Sequence, residues 1–209
     1  MDMPQLNHLM LVYVTYLIAV ASPGPSNMAI MGVAMNQGRP HGVALALGVL
    51  TGSLCWAGLA AAGISTLLTR YAEVLIVMKI GGGLYLLYLA WKSAKSAMSA
   101  KPGRYSDAAP AGRLVYYRRG VLLHLTNPKS ILGWVAIMTL GLTPDAPAHT
   151  LVAIIGGCAA IGVTVFVGYA MLFSTAAMAN GYRKARRWIE GTLAVVFGYA
   201  GLRLLLSRS

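Results

Sequence analysis

The residue of this chain whose chemistry is hardest to place in its surroundings is Lys129. It lies eight residues into an apolar run, Val121–Leu140. At a helical rise of 1.5 Å per residue that is about 12 Å deep if the run crosses a membrane. A lysine near the centre of a bilayer costs at least ~2.5–3.5 kcal/mol on insertion scales, so it must face a cavity, a counter-charge or a cluster of carbonyls. No acid stands at comparable depth: Asp2, Glu73, Asp107, Asp145 and Glu190 fall in termini, loops or the ends of apolar runs. Two readings follow. The ammonium makes a pocket that attracts anions, with the carboxylate of a small molecule as its partner, or it pairs with a backbone carbonyl and holds a broken helix together. The two are compatible.

The residues around Lys129 break the helix that carries it. In Leu125-Thr126-Asn127-Pro128-Lys129-Ser130, Asn127 reads as an N-cap and Pro128 as the first residue of a new half-helix. The same grammar occurs earlier, at Ser22-Pro23-Gly24-Pro25-Ser26-Asn27, inside the apolar run Leu6–Met35. There Ser22 reads as a cap with Pro23 at the first helical position, and Ser26 and Asn27 as caps of a slightly later restart. Proline lacks an N–H and clashes with the preceding turn, so neither stretch sustains an unbroken helix. A half-helix N-terminus opening within a membrane presents unpaired N–H groups and a positive dipole end, which suit a carboxylate. Simple proline kinks satisfied by neighbouring helices are the plainer alternative. Two broken helices in corresponding positions of two halves point to a transporter's substrate site. His124, one turn before Lys129, is a candidate proton carrier because imidazole titrates near neutral pH. The simpler reading of it is a histidine on the helix surface near the cytoplasmic interface.

These residues need elements to hold them. Six apolar runs are long enough to cross roughly 30 Å of hydrocarbon: Leu6–Met35, Gly42–Leu68, Val74–Ala94, Val121–Leu140, Thr150–Phe173 and Ile189–Leu206. The basic residues favour one side. Arg39, the group from Lys92 to Arg119, and Arg183, Lys184, Arg186 and Arg187 fall in the first, third and fifth loops, which places those loops in the cytoplasm and both termini outside. Trp91 and Trp188 stand beside the basic clusters, as an interfacial belt would. Residues 95–119 form a basic linker against an anionic leaflet. That linker separates a first three-helix repeat, residues 1–94, from a second, residues 120–209. With three spans each, the halves enter the membrane in opposite senses. The expected fold is an all-α integral membrane protein of six transmembrane helices, two inverted three-helix repeats in one transport domain, with the first and fourth helices broken by proline motifs. Gly82-Gly83-Leu84 and Gly191-Thr192-Leu193 echo one another across the halves. Gly48 and Gly52, at four-residue spacing, are read as sites of close helix packing.

Composition agrees and excludes other classes. Of 209 residues, 57% are hydrophobic and 11% charged, against about 25% charged in a soluble domain, and the mean hydropathy is +0.66. The net charge of +12 lies between apolar runs, and no groove-reading motif accompanies it, so nucleic acid is not expected as a partner. Cys55 and Cys158 are isolated in apolar segments, and neither they nor the four histidines make a metal pattern. No metal, cofactor or nucleophile–base constellation is expected, and the chain does not read as an enzyme. Ala19-Val20-Ala21 resembles a leader cleavage site, but Met1-Asp2-Met3 carries no positive charge and the apolar run resumes beyond Pro25, so no cleavage is expected.

At these residues the chain resembles the LysE/RhtB-type family of amino-acid exporters, in its RhtB-like branch. Ser22-Pro23-Gly24-Pro25 is similar to the family's first-helix signature and Asn127-Pro128-Lys129 to its fourth-helix signature. Gly83-Leu84-Tyr85-Leu86 to Leu89-Ala90-Trp91 is similar to its third-span ending. The resemblance implies proton-driven export of amino acids across the bacterial inner membrane, with the substrate at Ser22 to Asn27 and at Asn127 to Lys129. The partners it implies are an amino acid, a proton, the bilayer with its anionic lipids and a second copy of the chain in a homodimer. Some relatives carry an acid in the second span where this chain has Gly52-Ser53, so a conventional intramembrane carboxylate for the proton is missing here. A lysine or arginine exporter should offer its substrate a carboxylate; this chain offers none and Lys129 repels it. The expected substrate is a neutral, small or aliphatic amino acid of the threonine, homoserine or leucine type. Competing readings are a metal-cation exporter, which lacks the necessary acids, and a membrane redox protein passing electrons through Cys55 and Cys158.

Overall fold

The computed structural model describes residues 3–22, 24–64, 72–98, 111–142 and 147–206. Among them the chain is helical and forms no strand. The helices are α1 (Met3–Ala21), α2 (Pro25–Gln37), α3 (Arg39–Leu59, continued by a π turn at Ala60–Ile64), α4 (Ala72–Met98), α5 (Arg113–Leu125), α6 (Pro128–Gly141), α7 (Ala148–Phe173) and α8 (Ala176–Leu206).

Both expected breaks are present. The first separates α1 from α2, whose axes bend by 54°; the second separates α5 from α6 at Thr126 and Asn127. Residues 39–63 and 149–173 each form a helix long and apolar enough to cross a membrane, and the bent pair α1–α2 passes as a third span. The other expected spans are divided differently from the hydropathy pattern. The fourth run is the second half of a longer element, because helix begins at Arg113 and is cut at Asn127. Arg113, Arg118 and Arg119 therefore stand on a helix and not in a linker. Likewise Arg183, Lys184, Arg186 and Arg187 lie on α8, continuous with the last apolar run, and Glu190 is a buried residue within that helix.

The chain separates into two compact units, one of Met1–Ser65 with Ala109–Thr175 and one of Thr66–Ala108 with Ala176–Ser209. In the second, α4 and α8 pack together. Arg186 donates to the Ser96 carbonyl and hydroxyl at 2.7 and 3.1 Å, and Tyr182 donates to Glu190 at 3.4 Å. Trp91 and Trp188 are exposed, and Lys95 Nζ lies 5.3 Å from the centre of the Trp91 ring.

The first unit holds the site. Its core has two parts. Leu9, Val12, Tyr16, Ala57, Trp134, Ile137, Met138, Ile154 and Cys158 form one; Ile30, Val33, Leu45, Ala46, Val49, Tyr116, Phe166 and Ala170 form the other. Along α1–α2 and α5–α6 the breaks fall between these clusters, and along α3 the same interval holds Gly52 and Ser53. Glycine lets α3 and α5 meet backbone to backbone. A Cβ on Gly48 would strike the Tyr117 carbonyl, and one on Gly120 the Leu45 carbonyl, while one on Gly52 would lie 2.9 Å from His124 Cβ. Gly38, at φ 82°, makes the tight turn from α2 into α3. At that end of the unit Arg39 donates to Ser174 (3.1 Å) and the His41 ring meets Tyr116 edge-on at 5.1 Å. At the other end His8 bonds the Leu140 carbonyl at 2.8 Å. Met10, Leu11, Val14, Leu17 and Ile18 of α1 face outward, a surface that suits lipid. Chain and surface are those of a helical membrane protein.

Candidate functional site

A helix that ends inside a membrane leaves four carbonyls without intrahelical partners, and no water is there to satisfy them. At the end of α1 side chains satisfy each of them. The Ala19 carbonyl accepts from Ser22 Oγ at 2.9 Å, Val20 from Asn27 Nδ2 at 2.7 Å and Ala21 from the Tyr169 hydroxyl at 3.0 Å. The Ser22 carbonyl accepts twice, from Asn27 Nδ2 at 3.1 Å and from Lys129 Nζ at 3.0 Å. Lys129 also donates to Ser22 Oγ, at 2.6 Å. The lysine of the second break thus reaches the first.

The other side of the first break is open. Helix resumes at Pro25, with Gly24 extended before it, and no side chain caps the new N-terminus. This corrects the expected capping: Ser22 does not cap the restarted helix but closes the one before it, and Asn27 spends its amide protons on that same closure. Pro25, not Pro23, occupies the first helical position; Pro23 itself lies outside the described residues. Gly24 is buried, and a Cβ there would sit 3.2 Å from Lys129 Nζ. The uncapped N–H groups of α2 and the ammonium of Lys129 are neighbours.

The second break is closed. Asn127 is the N-cap of α6, its side-chain oxygen accepting from the Lys129 N–H at 3.1 Å, with Pro128 in the first helical position. Thr126 Oγ1 bonds back to the Leu122 carbonyl at 2.8 Å and completes α5. Between the breaks runs a buried chain: Asn127 Nδ2 donates to Ser26 Oγ at 3.4 Å, and Ser26 Oγ stands 3.1 Å from His124 Nδ1. Ser26 Oγ can donate to Nδ1 or accept from it, according to the His124 tautomer. His124 is buried against Phe166, the rings edge to face at 5.9 Å. The expected histidine on a helix surface is thereby corrected: Gly52 lets α3 approach the backbone of α5 and cover it.

These residues surround a cavity of about 50 Å³, room for about three to five waters at about 10–15 Å³ each. Gly24, Ser26, Asn27, His124, Asn127 and Lys129 line it from the breaks. Phe166, Ile137, Val20 and Ala19 supply an apolar wall. Of the residues expected at the site, Pro25 and Pro128 shape the backbone without lining the cavity, and Ser22 acts through Lys129. Tyr16, Ser53 and Trp134 are among the lining residues that the sequence reading did not assign to the site. Ser53 accepts from Trp134 Nε1 at 2.9 Å and lies 3.3 Å from the Tyr16 hydroxyl. A tryptophan in mid-run, whose N–H needs a buried partner, was the available signal. Among the side chains lining the cavity, Asn27 Oδ1 is buried and has no hydrogen-bond partner among the described residues. No Asp or Glu lines the cavity, and no group of three metal-ligating side chains occurs among the described residues.

The sequence pattern of the LysE type translocator family matches residues 17–208. An uncharacterized membrane protein, YahN, of Escherichia coli K12 is 27% identical, over 98% of this chain and 93% of its own. The threonine efflux proteins of Salmonella typhi and of Escherichia coli K12 are each 26% identical, over 94% of this chain and 97% of theirs. No solved structure matches. The match spans both breaks and the helices that carry them, and this chain belongs to the LysE type translocator family, whose members are transporters and not enzymes.

Proposed function

We propose that this chain exports neutral amino acids, of the threonine, homoserine or leucine type, across the bacterial inner membrane in exchange for protons. One observation carries the reading. The uncapped N-terminus of α2 and the ammonium of Lys129 meet beside Gly24 inside the unit, where fixed donors favour a carboxylate. The apolar wall of Phe166 and Ile137, and the lack of any acid lining the cavity, favour an uncharged side chain. The likeness to threonine efflux proteins supports amino acids as the class.

Substrate enters by exchange. Its carboxylate takes over Lys129 from Ser22, and the cavity widens from about 50 Å³ to admit the side chain. His124, joined to both breaks through Ser26 and Asn127, is the proposed proton carrier. The proposed topology places the first, third and fifth loops in the cytoplasm and both termini in the periplasm. The pairings of Arg39 with Ser174 and of His41 with Tyr116, which gather the starts of α3 and α5 and the end of α7 together, support it. The matched breaks support the inverted repeat. The homodimer and the anionic-lipid contacts of the basic segments rest on the resemblance and the charge pattern.

The test is export from cells preloaded with labelled threonine. Cells making the chain should clear the label faster than cells making Lys129→Ala at equal membrane abundance; equal rates would reject the reading.

A further inference from the structure

Resting on that reading, the geometry points to Asn27 Oδ1 as the acceptor for the substrate's α-ammonium, which makes the site selective for amino acids over the corresponding hydroxy acids. Asn27 is 3% exposed and lines the cavity, and its Oδ1 is without a partner among the described residues. A buried acceptor left unpaired costs free energy that nothing in the fold recovers. The amide is not free to turn and hide it. Nδ2 donates to the Val20 and Ser22 carbonyls at 2.7 and 3.1 Å, and a flip would set oxygen against both oxygens. Closing the α1 terminus therefore fixes Oδ1 as a buried, unpaired acceptor in an otherwise donor-rich place.

Its position fits one ligand chemistry. Asn27 is the third residue of α2, so its oxygen stands on the first turn of the helix whose open N-terminus faces Lys129. The Ser22 carbonyl is shared by Lys129 Nζ and Asn27 Nδ2, so the two side chains meet at one atom. Donors for a carboxylate and an acceptor for a cation are thus adjacent, as a carboxylate and an ammonium are on one α-carbon. A hydroxy acid keeps the carboxylate but loses the charge that rewards Oδ1. Its hydroxyl can still donate to Oδ1, but as a neutral bond, which is about half as strong as the charge-assisted one.

Uptake of labelled leucine and threonine into inside-out vesicles tests this, with 2-hydroxy-4-methylpentanoate and 2,3-dihydroxybutanoate as competitors. In the wild type each hydroxy acid should compete at least about tenfold more weakly than its amino acid, the size of a lost charge-assisted hydrogen bond. Asn27→Ala should bring the two close to parity. Asn27→Asp keeps the oxygen and gives up the amide donors, so it should retain the discrimination even where transport slows; a residue needed only to close α1 would lose both alike. Hydroxy acids that compete equally in the wild type, or full discrimination in Asn27→Ala, would overturn the inference while amino-acid transport stands. Absence of amino-acid uptake by the wild type would instead reject the functional reading beneath it. Should Asn27→Ala fail to reach the membrane, the wild-type ratio and Asn27→Asp decide.

Discussion

Lys129 Nζ donates to the carbonyl oxygen and to the hydroxyl of Ser22, at 3.0 and 2.6 Å, across 107 positions of the chain. That clasp ties the second broken helix to the first. It also explains how an ammonium is tolerated deep in an apolar segment: it is neutralised by no acid but solvated by the oxygens of a helix that ends there. Of the two sequence readings of Lys129, the pairing with a backbone carbonyl is seen directly; in the proposed function the substrate's carboxylate displaces those same oxygens.

Lys129→Ala should insert and fold less stably, and should lower export at least about tenfold, the scale of a charge-assisted bond. Lys129→Arg, whose planar fork does not fit the space beside Gly24, should recover only part of it. Export rates normalised to membrane abundance check both.

The contact of α3 with α5 depends on glycine. Gly48→Leu or Gly120→Leu should separate the helices at the level of the site and abolish a folded product, because the added carbons meet backbone and not a movable side chain. Gly58→Ala, with open space around it, should be tolerated. Thermal stability in detergent separates the cases.

Asn127→Ala removes an N-cap and the donor to Ser26, and should lower stability by about 1–2 kcal/mol. Asn127→Asp keeps the capping oxygen and should cost less. The ordering is read from melting temperatures of the purified variants.

Ser53→Ala leaves the buried Trp134 N–H without its acceptor and should destabilise the protein by about 1–3 kcal/mol. Trp134→Phe removes that donor, so adding Ser53→Ala to Trp134→Phe should cost less than Ser53→Ala alone. A double-mutant cycle on unfolding free energy measures the coupling.

The redox alternative has a direct check. Cys55 is exposed, Cys158 is buried, and both are free thiols. Replacing both by Ala should leave amino-acid export unchanged when transport is followed at equal protein; loss of activity specific to the pair would revive electron transfer.

Much of the site was legible because its parts have strong local signals. Proline fixes where a helix cannot continue, asparagine before proline marks a cap, and a lone lysine in an apolar run demands a partner. Those signals located both breaks and Lys129. They did not say which helix end each polar residue would serve: Ser22 and Asn27 flank the proline motif and look like caps of the helix that follows, yet both close the helix that precedes. Choosing between N–H and C=O partners depends on the fold, which brings Tyr169 to the Ala21 carbonyl and Lys129 to the adjacent Ser22 carbonyl. Ser53 was legible only as a departure from relatives, and its tie to Trp134 joins residues far apart in the chain. Span limits were misplaced for another reason. Hydropathy reads basic residues as loop, whereas α5 and α8 carry theirs on helices continuous with apolar segments.

The most direct test of the central claim is uptake of labelled threonine, leucine and lysine into inside-out vesicles containing the chain, with and without a pH gradient. The account predicts gradient-dependent uptake of threonine or leucine and none of lysine, because Lys129 attracts the carboxylate and no acid in the cavity receives a second cation. Lysine uptake at the rate of the neutral amino acids, or no uptake of any, would contradict it.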